Sequence, residues 1–385
     1  MELRIGVAEL LKALNLLQGV AQRKSSMPVL SHVLLQASQH NDGGDNGKPA
    51  GQLSLSATDL ETAMRMQHDC HVQQPGSVVA PARALLDVVR TLPGPDALLF
   101  CEEGKQLQVH SGRVRAQLLT LPAQEFPGVV RPDDVALQRV NARRFADMVH
   151  KTLYCTSTDD NRFALTGVCC EPLGEGEKGL VMAATDGHRL SRVRAQSDSI
   201  NLGLLSPVII PRKGLAELIR LLQQEEPGED DGLELGFVPG QAVAIYKGTL
   251  LTMRLIDGAF PDYHQVIPKL SDKLARVSRA DLLATLRRCT VLVSDKHQGL
   301  KWSLAPGELE VHCHNPEAGE VSDAVAVEYD GPALEIGVNA RYAVEALSSM
   351  DEENVQLRLT DSLSPVLLTG AESNDHQCVV MPMRV

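Results

Sequence analysis

The sequence predicts an α+β protein of three repeated domains, each with two helices packed on antiparallel sheets. Three observations carry this. A short β run leading into an amphipathic helix occurs at 78–92, 208–222 and 334–347, and the residues opening those helices, Pro81, Pro211 and Asn339, stand 130 and 128 residues apart in a chain of 385. Proline suits a first helical turn and asparagine a cap. In a second register, Ala57-Thr58-Asp59 recurs as Ala184-Thr185-Asp186, and Phe126-Pro127 as Phe260-Pro261. The segments 52–57, 107–110, 233–236, 242–246 and 309–313 alternate apolar and polar residues, the period of half-buried strands. Runs of strands between helices indicate hairpin-linked antiparallel sheets, not a doubly wound fold.

Each repeat opens with a second helix pattern. Its apolar face is Leu10, Leu11, Leu14 and Leu17 in the first repeat, Phe145, Met148 and Val149 in the second, and Leu282, Leu283 and Leu286 in the third. Six helix windows follow: 7–24, 82–92, 141–152, 212–224, 278–290 and 339–350. Boundaries after Pro127-Gly128 and near Pro268-Lys269 give domains at 1–128, 129–268 and 269–385. The Gly/Asp/Asn-rich insert 40–51 reads as a surface loop; its Gly47-Lys48 is followed by Pro49, so it fails as a phosphate-binding loop. The acidic stretch 225–232 lacks calcium-loop spacing and reads as a solvated turn.

Composition bounds the function. At ~100–200 residues per domain, the length implies two to four domains. Apolar residues make up 43% and charged residues 22%, a globular balance. No apolar run is long enough for a membrane helix, and the charged start, Met-Glu-Leu-Arg, is not a targeting signal. Eight scattered cysteines without C-x-x-C suggest reduced thiols and a cytoplasmic protein, with Cys169 and Cys170 as small strand residues.

A net charge of −12 argues against a nucleic-acid partner until its distribution is read. The six helix windows hold 15 Lys/Arg and six Asp/Glu; the remainder holds 22 and 43. Helices sharing one face would make that face attractive to phosphate while the rest repels it.

Few motifs suggest chemistry. Asp186 and His188, two apart in Thr-Asp-Gly-His-Arg-Leu, could form an acid–base pair, which keeps a hydrolase as a rival reading. No nucleophile or metal motif accompanies them, and Asp-Gly is an ordinary turn dipeptide. His312 and His314 share a strand face but lack a third ligand nearby in sequence, so a plain strand is expected. No catalytic, metal or cofactor site is assigned. The terminal Cys-Val-Val-Met-Pro-Met-Arg-Val is either a last core strand or, through Met381, Pro382 and Met383, the lining of an adaptable groove.

The strings A-T-D-G-H-R-L (184–190), I-P-R-K-G (210–214), D-G-x-F-P-D-Y (257–263), E-N-V-x-L (353–357) and V-V-M-P-M-R (379–384) resemble the bacterial sliding-clamp family, the β subunit of the replicative polymerase, along the whole chain. The resemblance implies three DNA-clamp domains per protomer and a head-to-tail homodimer closed into a ring. The ring would encircle double-stranded DNA without regard to sequence. It would tether the polymerase α subunit, be loaded by a clamp loader, and serve other proteins carrying a clamp-binding motif, with no catalysis and no membrane.

Aligned motif by motif, the client-peptide pocket would use Arg162, Leu165, Thr185, Gly187, His188, Arg189, Leu190, Pro261 and Val266. Its other wall would be Asn339, Tyr342, Leu363, Val379, Met381, Pro382, Met383 and Arg384. DNA contacts would fall to Lys12, Lys24, Arg83, Arg143, Arg212, Lys213 and Arg220. Ring closure would set Arg113, Arg115 and Leu118 against Val291, Leu292, Glu317 and Glu320.

Three features depart from the family pattern. The 40–51 insert lengthens a first-domain hairpin and is expected on the outer rim. Pro365 removes a backbone donor at the pocket edge. Asp159 and Asp160 put acid beside the expected DNA face. A non-ring repeat scaffold remains a third reading.

Overall fold

The computed structural model describes residues 1–22, 26–39, 51–102, 105–129, 135–174, 176–268, 273–294 and 297–384. Lys24 and most of the 40–51 insert therefore lie outside the described residues. The described residues hold six α-helices: α1 (Val7–Val20), α2 (Ala82–Arg90), α3 (Ala142–Leu153), α4 (Arg212–Glu225), α5 (Arg279–Cys289) and α6 (Ala340–Ser348). Each falls within or against one of the six windows read from apolar spacing. The apolar stripes face inward: Leu10, Leu14 and Leu17 of α1, Phe145 and Val149 of α3, and Leu282 and Leu286 of α5 are buried.

The chain forms two compact units, Met1–Ala142 with Lys213–Leu255, and Arg143–Arg212 with Ile256–Val385. The middle third of the sequence thus contributes to both. In the first unit, twelve strands form one sheet that begins at the edge strand Val114–Leu119 and ends at Leu137–Asn141. Its seam joins distant segments, with Thr62 opposite Met253 and Arg65 opposite Leu250. Helices α1 and α2 pack together, and α4 lies against α1. Gly214 makes that helix fit: a Cβ there would stand 2.6 Å from the Met253 side chain.

The second unit has an eight-stranded and a four-stranded sheet. In the larger, Arg189–Gln196 pairs with the last strand, His376–Val380; Leu190 stands opposite Val379 and Val193 opposite His376. The smaller runs from the edge strand Gly319–Ala326 through Glu308–Asn315 and Gly299–Ala305 to Leu334–Asn339. A core around the fully buried Trp302 fills the space between α5, α6 and both sheets. Every pairing among the described strands is antiparallel.

All eight cysteines are unpaired and buried. Burial pushes the Cys170 thiol up to about 12, as expected of a small apolar strand residue. No described helix is long and apolar enough to cross a membrane.

Candidate peptide-binding site

In the second unit, several of the residues assigned to the pocket from the sequence gather around one turn. Thr185 Oγ1 donates to the Arg189 carbonyl at 2.6 Å and accepts from Gly187 N at 3.1 Å. Asp186 Oδ1 accepts from the N–H groups of His188 (2.9 Å) and Arg189 (3.1 Å), while Oδ2 takes Arg189 Nε at 3.0 Å. Asp186 thus serves the turn and the Arg189 guanidinium, a structural role that accounts for the Asp-x-His string without the hydrolase reading. Gly187 has φ +88°, and a Cβ there would meet Arg162 Nη1 at 2.8 Å. Glycine suits the left-handed backbone, and its lack of a Cβ leaves room for the Arg162 guanidinium where it now lies. Arg162 Nη1 in turn donates to the Asp186 carbonyl at 2.7 Å.

Arg189 is 7% exposed and joins several elements. It pairs with Asp186 and Glu345, donates to the Tyr154 carbonyl at 2.6 Å, and lies 4.4 Å from the Tyr342 ring centroid. The planar guanidinium suits this mixture of forked hydrogen bonds and ring stacking, which lysine could not reproduce. A polar cavity of about 460 Å³ opens here, lined by Arg162, His188, Arg189, Arg212 and Tyr342 among others.

Behind the turn is an apolar floor. Leu190 and Val379, opposite one another across the sheet seam, are buried with Ala183, Tyr263 and Leu367. Phe260, Val266 and Ile267 cover this floor and remain partly accessible. Tyr263 is anchored by its hydroxyl, which donates to Glu171 Oε2 at 2.9 Å.

The C-terminal segment supplies the far wall and resolves the two readings of its sequence in sections. Cys378, Val379 and Val380 are core strand residues. Met381, Pro382 and Met383 are half-buried and Arg384 is exposed. Met381 N donates to the His188 carbonyl and Met383 N to the Gly337 carbonyl, both at 2.9 Å, and Pro382 bridges Val338. The last residues therefore pass from the larger sheet to the smaller. Asn339 caps α6, accepting from Arg341 N and Tyr342 N at 3.0 and 3.2 Å, which fixes Tyr342 beside Arg189. Asp361 Oδ1 accepts from Leu363 N and Ser364 N at 2.8 and 2.7 Å, presenting Leu363 at 83% exposure just before Pro365. Those backbone donors hold the Asp361 carboxyl below its usual range. Thr185, Leu165 and Val266 are half-buried, while Pro261, Gly187 and His188 are exposed. Phe260, Tyr263, Ile267, Leu367 and Tyr154 were not assigned to the pocket from the sequence. The D-G-x-F-P-D-Y string contains the first two; nothing local marks Leu367 or Tyr154.

The basic residues assigned to DNA have varied surroundings. Arg143 and Arg212 are exposed at the starts of α3 and α4. Arg83 pairs with Asp87 at 3.0 Å and Lys12 with Glu225 at 2.6 Å. Lys213 pairs with Asp59 and donates to the Val20 carbonyl at 3.2 Å. Arg220 pairs with Glu217 at 2.6 Å and donates to the Asn15 carbonyl at 2.7 Å. Lys213 and Arg220 therefore dock α4 on the C-terminal half of α1 in addition to contributing charge. Burial raises the Glu217 carboxyl despite these cations.

The residues assigned to ring closure sit on or beside two open sheet edges. Arg115 and Leu118 lie on the edge strand Val114–Leu119, with Arg113 in the turn before it. Glu320 lies on the edge strand Gly319–Ala326, with Glu317 just before it. Val291 is 77% exposed, while Leu292 packs partly into the core. His312 and His314 face Glu320, their nearest ring nitrogens 3.5 and 4.0 Å from Oε2. Among the described residues, no group of three side chains is arranged to hold a metal ion.

Known proteins match this chain throughout. Family models for the DNA polymerase III beta subunit match at residues 1–130 (N-terminal domain), 139–262 (central domain) and 264–384 (C-terminal domain). The beta sliding clamp of Pseudomonas putida is 36% identical over 381 residues, 98% of each chain. The crystal structure of the C. crescentus beta sliding clamp matches with a TM-score of 0.90 at 33% identity, covering 100% of this chain and 99% of that one. The DNA polymerase III subunit beta of Pseudomonas aeruginosa gives 0.86 at 34% identity over the whole of both chains. With all three domain models in order and the signature turn built as its sequence requires, the chain belongs to the beta sliding clamp family, the beta subunits of DNA polymerase III.

Proposed function

We propose that two copies of this chain close head to tail around duplex DNA and hold client proteins by a short peptide segment laid in the groove of the second unit. The chain is a DNA sliding clamp, a processivity factor with no catalysis of its own. Its work is topological: a tethered polymerase that lets go of the primer end rebinds intramolecularly, at high effective concentration. Phosphate contacts suffice for sliding, because they position without reading sequence.

The observation carrying the closure is the pair of open edges. Strand Val114–Leu119 ends the sheet of the first unit and Gly319–Ala326 ends the small sheet of the second. Unpaired edges invite pairing with another chain. Arg113 and Arg115 on one edge match Glu317 and Glu320 on the other in charge, and Leu118 offers an apolar counterpart to Val291 and Leu292. Arg143 and Arg212, with Lys12, Arg83, Lys213 and Arg220, would face the duplex. The α subunit of the replicative polymerase, the clamp loader and other motif-bearing clients would share the groove in the cytoplasm. Its apolar floor, flexible methionines and exposed Leu363 suit apolar anchors on such segments.

The test joins mass and topology. Light scattering should give twice the protomer mass of 41.7 kDa. Protein assembled on nicked circular DNA should remain through a salt wash, then leave when the circle is cut once. A monomer at every concentration, or equal retention on circular and linear DNA, would favour the non-ring scaffold and end the proposal.

A further inference from the structure

We infer that the cavity beyond Met383 and Arg384 is an additional subsite of the client groove, taking an acidic side chain that flanks the client's apolar anchors. The inference rests on the groove being the peptide site.

The cavity measures about 360 Å³, of a size for one side chain and its water. Its base is the outer face of the four-stranded sheet. His312 and His314 project from one side of strand Glu308–Asn315, and Lys301 stands opposite His312 on the neighbouring strand. The wall is the C-terminal segment, held across the sheet by Met383 N on the Gly337 carbonyl. The cavity adjoins the C-terminal segment that forms the far wall of the groove. Met383 and Arg384 line it, as does Gln298, whose Oε1 accepts from Asn339 Nδ2 at 3.0 Å.

The chemistry favours a carboxylate. Lys301, Arg384 and three imidazoles, from His297, His312 and His314, line the cavity, and among the described residues no acidic one does. The nearby acids sit at its margin. Glu320 is 3.5 Å from His312 Nε2 and 4.0 Å from His314 Nδ1; Glu335 is 2.7 Å from Lys301 Nζ. Both carboxylates are mostly exposed, at 72% and 65%, and such pairs exchange readily with a competing anion. Arg384 is exposed and has no ion pair or hydrogen bond among the described residues. The Met383 side chain, Pro316 and the imidazole faces offer apolar surface to the methylenes of a glutamate. A charge-assisted contact would then complete the fit.

The experiment uses the full chain and short labelled peptides with three apolar anchors, Leu, Leu and Phe, in a Ser/Gly frame. Each flanking position is replaced in turn by Glu and by Gln, and binding is read by fluorescence anisotropy. One position should show a Glu-over-Gln preference of about threefold to tenfold that shrinks at high salt. The variants Lys301→Met and His312→Gln/His314→Gln should bind the neutral peptide as the parent does and lose the preference; their melting curves check the fold. A neutral peptide that binds with no Glu preference at any position, or a preference both variants retain, overturns the subsite and leaves the groove intact. A neutral peptide that fails to bind the parent chain sinks the groove reading and this one with it.

Discussion

Thr58 and Thr185, in different repeats, make the same turn. Each hydroxyl donates to the carbonyl four residues on, Thr62 at 3.2 Å and Arg189 at 2.6 Å, and accepts from the N–H two residues on. Asp59 and Asp186 follow suit, each Oδ1 accepting from the second and third N–H beyond it. The middle residue has positive φ in both, +77° at Leu60 and +88° at Gly187. The repeat is therefore conserved within the chain at the level of individual hydrogen bonds, while the residue at the strained position differs.

That difference gives the first prediction. A leucine in the left-handed region costs about 1–2 kcal/mol, and replacing it by glycine returns about half through chain entropy. Leu60 is 56% exposed, so little burial is lost. Leu60→Gly should raise stability by about 0.5–1 kcal/mol. Gly187→Ala should lower it by about 1–2 kcal/mol and, by displacing Arg162, weaken peptide binding. Urea midpoints and anisotropy read both; destabilisation by Leu60→Gly would refute the account of strain.

The Arg189 hub yields a second. Lysine keeps the charge but not the fork or the stacked plane. Arg189→Lys should leave Glu345 or the Tyr154 carbonyl unsatisfied and cost about 1–3 kcal/mol. Peptide affinity should fall with it, because Tyr342 loses the surface on which it rests. A lysine variant of parental stability and affinity would show that charge alone matters here.

How much of this was legible beforehand depends on distance along the chain. The six helices and the antiparallel strands follow from local period, and the Thr-Asp-Gly-His-Arg turn from residues that bond within five positions. The division of the middle third between two units was not legible, because Arg65 meets Leu250 and Leu190 meets Val379 through pairings that no periodicity encodes. The charge tally counted basic residues in helix windows, yet α1 and α6 each carry one cation against one carboxylate, and counting could not see that Lys213 and Arg220 have carboxylates and α1 carbonyls within reach. Pairing of charges is a tertiary fact; counting them is not.

Buried His376 predicts an acid limit. Burial, reinforced by the Lys151 charge, pushes its imidazole down to about 4 from 6.5, with Asp351 opposing. Its Nε2 lies 3.1 Å from Ser191 Oγ and 3.3 Å from Cys378 Sγ. Between pH 6.5 and about 4 the unfolded chain binds this proton and the folded chain does not, so stability falls as pH falls through that window. The loss should approach about 3 kcal/mol, a figure good only to order of magnitude. Denaturant midpoints against pH should show it, and His376→Gln should flatten that part of the curve. An equally steep curve in the variant would assign the effect to other groups.

The DNA face separates two kinds of cation. Arg143 and Arg212 are exposed, whereas Lys213 holds Asp59, which is 8% exposed. Arg143→Ala and Arg212→Ala should leave stability near parental and each reduce the salt slope of DNA binding by about 1. Lys213→Ala should instead cost about 1–3 kcal/mol of stability by leaving the Asp59 carboxylate without its cation. Equal salt slopes for all four proteins would move the duplex away from these helices.

Ring closure can be tested by exchanging the charges that the two edges offer each other. Arg115 is exposed on one edge strand and Glu320, 72% exposed, on the other. Rim charges act mainly on association rate and salt dependence, so one reversal weakens a dimer without unfolding either unit. Arg115→Glu should raise the dimer dissociation constant by about tenfold, read as a shift of scattering mass toward 41.7 kDa on dilution. Adding Glu320→Arg restores opposite signs across the same contact and should recover part of that loss, a coupling only adjacent residues produce. Additive losses in the double variant would mean these side chains do not meet, and closure would have to be sought on other surfaces.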